Sequence, residues 1–162
     1  MEKVEILERQ PWFDRIEGEL FTQAMRSSCH RSRCGSVIVR KEGQVIGRGY
    51  NSMPNGCSGD CVKDGLPTGF KSDKTCCVHS EQRAIMDMLK HWRGDLKETS
   101  IFFIRLDEKG EMKDAGKPYC TICSKMALDA GIERFVLRHK EGWTSYEAGY
   151  YNELSFKHAD QK

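Results

Sequence analysis

Nothing in this 162-residue sequence could cross a membrane as a helix, because no apolar run approaches the ~20 residues that a bilayer requires. The first residues, Met1 to Arg9, are charged and lack the apolar core of a secretion signal. A cytoplasmic protein is therefore expected. Charge of a single sign is lacking too. Lys and Arg number 26 against 24 Asp and Glu, a formal net charge of +2. That balance provides no basic strip for a long nucleic acid and leaves room for a small phosphate-bearing ligand. Internal repeats and low-complexity segments are absent as well. What is present, 38% hydrophobic and 31% charged residues, describes an ordinary single domain over residues 1–162 with a core of its own.

Cysteine is plentiful. The eight cysteines all fall between Cys29 and Cys123. In a reducing compartment disulfides are disfavoured, and clustered thiols more often bind metal.

Apolar residues Phe13, Ile16, Leu20, Phe21, Ala24 and Met25 predict a helix over 12–28. The runs 35–40 and 45–50, joined at Glu42-Gly43, read as a hairpin. Residues 51–78 form a long cysteine-rich stretch without periodicity, which a compact domain tolerates when it is functional or stapled by metal. Helical spacing returns from His79 to His91. A nearly continuous apolar strand runs from Thr99 to Leu106 and is expected to be buried on both faces. Pro118 is expected to open another helix that ends at Gly131, and Ile132 to Arg138 is a further strand. The tail from Gly142 reads as a helix with a short final strand. Strand, helix and strand in this order predict a parallel pair with a right-handed crossover. The fold class that follows is a three-layer α/β/α domain, a central mixed sheet flanked by helices.

Two segments carry chemistry: His79-Ser80-Glu81 and Pro118-Tyr119-Cys120-Thr121-Ile122-Cys123. Both lie at predicted helix starts, where partial positive charge favours thiolates. Cys120 and Cys123, three apart, share one face of a turn. With His79 they offer three ligands and leave a tetrahedral Zn2+ one open position. Glu81 is placed to move protons beside that position. His-x-Glu followed by Pro-Cys-x-x-Cys is the signature of zinc-dependent base deaminases. Tyr119, inserted between the proline and the first cysteine, is a departure that touches the pocket wall rather than the ligands.

On these motifs the sequence resembles the deoxycytidylate (dCMP) deaminases of the cytidine deaminase-like superfamily. The resemblance covers Ala24 to Leu137 and includes the 24–29 and 34–39 segments, the Gly49-Tyr50-Asn51-Ser52-Met53-Pro54-Asn55-Gly56-Cys57 loop and the helix at 124–131. It implies hydrolytic conversion of dCMP to dUMP, with Glu81 passing a proton from water to N3 of the base. CMP, cytidine or a modified base are the alternative substrates. It implies that Asn51 bonds the sugar or base, that Ser52, Pro54 and Asn55 lie near the 5′-phosphate, that Arg26 holds this loop or the phosphate, and that backbone near Ser80 frames the base. Arg83 stands where the family usually carries Asn, which bears on substrate choice. The resemblance also implies a second, structural zinc held by Cys29, by Cys61 in preference to Cys57, and by Cys76 or Cys77. It implies a homo-oligomer, dimer or hexamer. The rival of a different class is a non-catalytic, zinc-stabilised nucleotide-binding protein, which has no need of Glu81.

Overall fold

The computed structural model describes residues 2–67 and 76–157. Two short apolar alternations explain its layers. Along strand β2 (Arg33–Val39), Val37 and Val39 point to one face and Ile38 to the other. Strand β4 (Ser100–Leu106) does the same, with Phe102, Ile104 and Leu106 on the first face and Ile101 and Phe103 on the second. Such period-two alternation between two apolar faces demands a cover on each.

Helix α1 (Phe13–Arg26) covers the first face with Phe13, Ile16, Leu20 and Ala24, spaced three and four apart. Helices α2 (Ser80–His91), α3 (Thr121–Ala130) and α4 (Ala148–Lys157) cover the second with Ala84, Ile85, Met88, Ala127 and Tyr151. The sheet between them also includes β1 (Val4–Ile6), β3 (Val45–Tyr50), β5 (Met112–Lys113), β6 (Arg134–His139) and β7 (Gly142–Glu147). Its order is β1-β7-β6-β4-β2-β3, with β5 paired to β4. Only β4 and β6 run parallel, in register Ile101 to Phe135; the remaining pairs are antiparallel. The expected hairpin, crossover and three-layer α/β/α architecture are all present.

Two expectations are corrected, and two short strands are added. The second ligand helix starts at Thr121, not at Pro118, because Cys120 is extended (φ −79, ψ 102) and its Sγ accepts the Cys123 N–H as the N-cap. The tail is strand then helix, not helix then strand. Gly142, at φ 134, turns the chain so that Trp143 to Tyr146 pair with β6 and bury their side chains. Short β1 and β5, rich in charge, carried no strand signal, yet β1 completes the β7 edge and β5 extends β4.

The position of α2 is fixed by glycine. A Cβ on Gly49 would lie 2.3 Å from the Ser80 carbonyl oxygen and 2.4 Å from the Ala84 nitrogen. The first turn of α2 thus presses directly on the β3 backbone, closer than any side chain permits.

Candidate active site and metal centre

The first turns of α2 and α3 meet on the same side of the sheet. Val78, just before α2, bridges Ser52 in antiparallel fashion, and the His79 N–H donates to Gln82 Oε1 at 3.0 Å. These bonds fix His79 as the extended residue at the helix start. Its Nδ1 lies 3.2 Å from Cys120 Sγ and 3.4 Å from Cys123 Sγ, and the two sulfurs are 3.0 Å apart. Around a tetrahedral zinc with bonds of about 2.0–2.3 Å, such donors stand about 3.5–3.8 Å from one another. The trio fits an ion after a small outward movement. Among the described residues it is the group of metal-ligating side chains whose donor atoms converge this closely.

The electrostatics agree with a thiolate-rich centre. A hydrogen bond from Cys123, assisted by His79, draws the Cys120 thiol down to about 5, while burial drives Cys123 upward. Glu81, 8% exposed, has its Oε2 3.7 Å from Cys123 Sγ and accepts from Ser80 Oγ at 3.3 Å. Burial, then the nearby Cys120, raises its carboxyl above the usual range. Ser80 is held in turn by Ser36 Oγ at 2.8 Å.

A cavity of about 510 Å³ opens over this group, lined by His79, Ser80, Glu81 and Cys120. Asn51 also lines it, although its side chain is engaged with backbone. Asn51 Oδ1 accepts from the Cys34 N–H and Nδ2 donates to the Ser32 carbonyl, each at 2.8 Å. Ser52, Pro54, Asn55 and Arg26 are not in the lining. Pro54 and Asn55 are exposed, while Ser52 is held by Arg83, which donates to the Tyr50 carbonyl at 2.9 Å, to Ser52 Oγ at 2.5 Å and to the Met53 carbonyl at 3.3 Å. Arg83 and Arg26 both rest over the Tyr50 ring, at 4.8 and 4.7 Å. Arg83 is therefore a strut between the ligand helix and the loop after β3.

Cys29, Cys61, Cys76 and Cys77 line the same cavity, and Cys57 is exposed outside it. Cys76 and Cys77 have sulfurs 3.9 Å apart, and the four do not converge as the His79 trio does. Residues 68–75 of the expected cysteine-rich loop lie outside the described residues. Cys34 also faces the cavity, and burial pushes its thiol up to about 12.

Phe103, Arg105, Lys117 and Tyr151 complete part of the lining and carried no sequence signal, whereas Tyr119 lines the pocket wall as its insertion before Cys120 suggests. Tyr151 comes from the tail, whose elements were misordered, and stacks on Phe135 at 3.9 Å. Arg105 was hidden inside an apolar strand. Its place on the cavity side follows only from which face of β4 meets α2.

Residues 16–139 match the model of the cytidine and deoxycytidylate deaminase zinc-binding region. The chain belongs to this family. Among its relatives, the deoxycytidylate deaminase of Mycobacterium phage D29 is 32% identical over 139 residues, spanning 80% of this chain and 96% of the phage protein. The human deoxycytidylate deaminase is 29% identical over 139 residues, 85% of this chain and 70% of that protein. Two solved structures bear on the fold alone. The dCMP deaminase of cyanophage S-TIM5, 22% identical, aligns with a TM-score of 0.53 over 78% of this chain and 82% of its own. The cytidine deaminase of Burkholderia pseudomallei, 15% identical, reaches 0.54 over 85% and 94%. Family membership accounts for the convergence of His79, Cys120 and Cys123, and for zinc as the metal this donor set suits.

Proposed function

We propose that this chain hydrolyses the cytosine amino group of a nucleotide, converting dCMP and water to dUMP and ammonia. One observation carries the reading. A His and two Cys lie within 3.4 Å of one another at two helix starts, with a buried Glu 3.7 Å from one of the sulfurs, at a cavity large enough for a nucleotide. The deoxycytidylate deaminases of phage D29 and human support the substrate.

In this reading His79, Cys120 and Cys123 hold zinc. When bound, the metal lowers the pKa of a coordinated water towards neutrality. Glu81 does the proton work. Its raised carboxyl pKa lets it take a proton from the attacking water and deliver it to N3, then carry the second proton from the new C4 hydroxyl to the amino group as the C4–N bond breaks and the carbonyl forms. The Ser80 hydroxyl orients Glu81 Oε2, and Ser36 holds Ser80. Asn51 keeps the wall beside the base in place through its two backbone bonds. Ser52 and Arg26 support the loop after β3 through Arg83 and Tyr50. A non-catalytic zinc protein has no use for a buried carboxylate at this point, which counts against that rival.

The same reading includes a second, structural zinc among Cys29, Cys61, Cys76 and Cys77, supported by their shared place on one cavity wall. It also includes a single domain over residues 1–162 acting as a cytoplasmic homo-oligomer, dimer or hexamer, supported by the family resemblance. No described helix is long and apolar enough to cross a membrane.

A substrate panel tests the main claim. Cytosine, cytidine, deoxycytidine, CMP, dCMP and dCTP are incubated with the zinc-loaded chain, and ammonia is measured. The highest kcat/KM is expected with dCMP. Ammonia from none of the six overturns the reading.

A further inference from the structure

Arg105 is the anomaly of the central sheet. It continues the β4 row Ile101, Phe103, whose first two members pack against the helices of the metal side. It stands opposite Cys34 of β2 and Lys113 of β5. Where the row reaches the cavity, an apolar side chain is replaced by a guanidinium.

That guanidinium has little to neutralise it. Nη2 donates to the Ala115 carbonyl, and Nε is buried without a hydrogen-bond partner. Arg105 makes no ion pair among the described residues. Arg40 offers the contrast. Its Nε is also buried and unbonded, yet its fork pairs with Asp95 at 3.1 Å. Among the described residues, the carboxylates that line the cavity are committed elsewhere. Asp64 is paired with Arg31 at 2.7 Å, and Glu81 sits at the metal end. Lys63 and Lys117 add further positive charge to the lining. A charge taken from water without a carboxylate is costly, and a planar Arg fork matches a phosphate better than any other side chain does.

We propose that Arg105 binds the phosphate of the nucleotide and is the residue by which this chain selects a nucleotide over a nucleoside. The inference rests on the deaminase reading above. With the base held at the Glu81 end, the phosphate reaches the end of the β4 row. Ser52, Pro54 and Asn55 are not among the residues that line the cavity.

The experiment compares the zinc-loaded chain with its Arg105→Ala and Arg105→Lys variants. For each, kcat/KM is measured with dCMP and with deoxycytidine. Arg105→Ala is expected to lower the dCMP-to-deoxycytidine ratio on the order of 100-fold, the value of a charge-assisted contact, mainly through KM. Arg105→Lys is expected to restore part of the ratio. Equal losses on both substrates would make Arg105 merely structural, and an unchanged ratio would put the phosphate elsewhere; either overturns the proposal. Calorimetric titration of dUMP and deoxyuridine gives a readout that needs no turnover. Selective weakening of dUMP by Arg105→Ala supports the phosphate contact even if the chain deaminates neither substrate, a result that would defeat only the deaminase reading. Equal weakening of both ligands, or of neither, counts against Arg105.

Discussion

Two groups of cysteines share one cavity and differ in what holds them. Cys120 and Cys123 belong to the first turn of α3, beside His79 at the start of α2. Both helices are packed on a sheet face whose core residues, among them Ile38, Ile101 and Phe135, are fully buried. Cys29, Cys61 and Cys76 to Cys77 lie instead in connecting segments after α1, before a short turn at Val62–Gly65 and before β-bridged Val78. The first group converges to 3.0–3.4 Å without an ion. The second approaches without closing, and Cys76 and Cys77 are 3.9 Å apart. A ligand set built on helix starts is preorganised by the core. A set built on loops needs the ion to pay for its own order.

Breaking the preorganised side gives the largest effects. Glu81→Ala removes the proton carrier and leaves the three ligands in place. Turnover is expected to fall about 10³-fold while metal analysis still finds the catalytic zinc. Retained turnover would mean that Glu81 is not in the reaction. The next effect comes from further back. Gly49→Ala sets a methyl 2.3 Å from the Ser80 carbonyl oxygen and pushes the start of α2 off β3. A loss of about 1–3 kcal/mol in stability is expected, with turnover reduced because His79 and Glu81 move together. An unchanged thermal midpoint would show that the helix start is less tightly clamped than its backbone contacts imply.

The same contrast explains what could be read in the sequence. The metal trio and Glu81 were legible because short-range spacing and helix starts are local properties. His79 and Glu81 need one turn, and Cys120 and Cys123 need another. The hairpin, the parallel crossover and the faces of α1 and α2 were legible for the same reason, since periodicity fixes them. The cavity wall was not. Asn51 lines the cavity with its amide bonded to Cys34 and Ser32, partners far away in sequence, so its bracing role has no local signal. Arg105 reads as an interruption in an apolar run until β2, β5 and Ala115 are placed around it. The tail failed because Trp143 and Tyr146 suit either a strand or a helix face, and only pairing with β6 decides.

The loop-held group sharpens the comparison with the smallest expected change in turnover. Cys61 precedes the Val62–Gly65 turn and lines the cavity well away from α2 and α3 in sequence. If the loop cysteines share a structural ion, Cys61→Ser should reduce bound zinc from two per chain to one. It should also lower the thermal midpoint, because the ion is what orders those segments. The kcat for dCMP should change by less than about tenfold, since His79, Cys120, Cys123 and Glu81 keep their helix anchors and second-layer contacts are typically worth 10–100-fold at most. One zinc per chain in the unaltered protein would dissolve the loop site and leave the cysteines as ordinary thiols. Two per chain in both proteins would move the second ion away from Cys61. A large loss of kcat with one zinc retained would show that the loop cysteines and the helix starts act as one unit, and that the division between a preorganised and an ion-ordered side of the cavity is wrong.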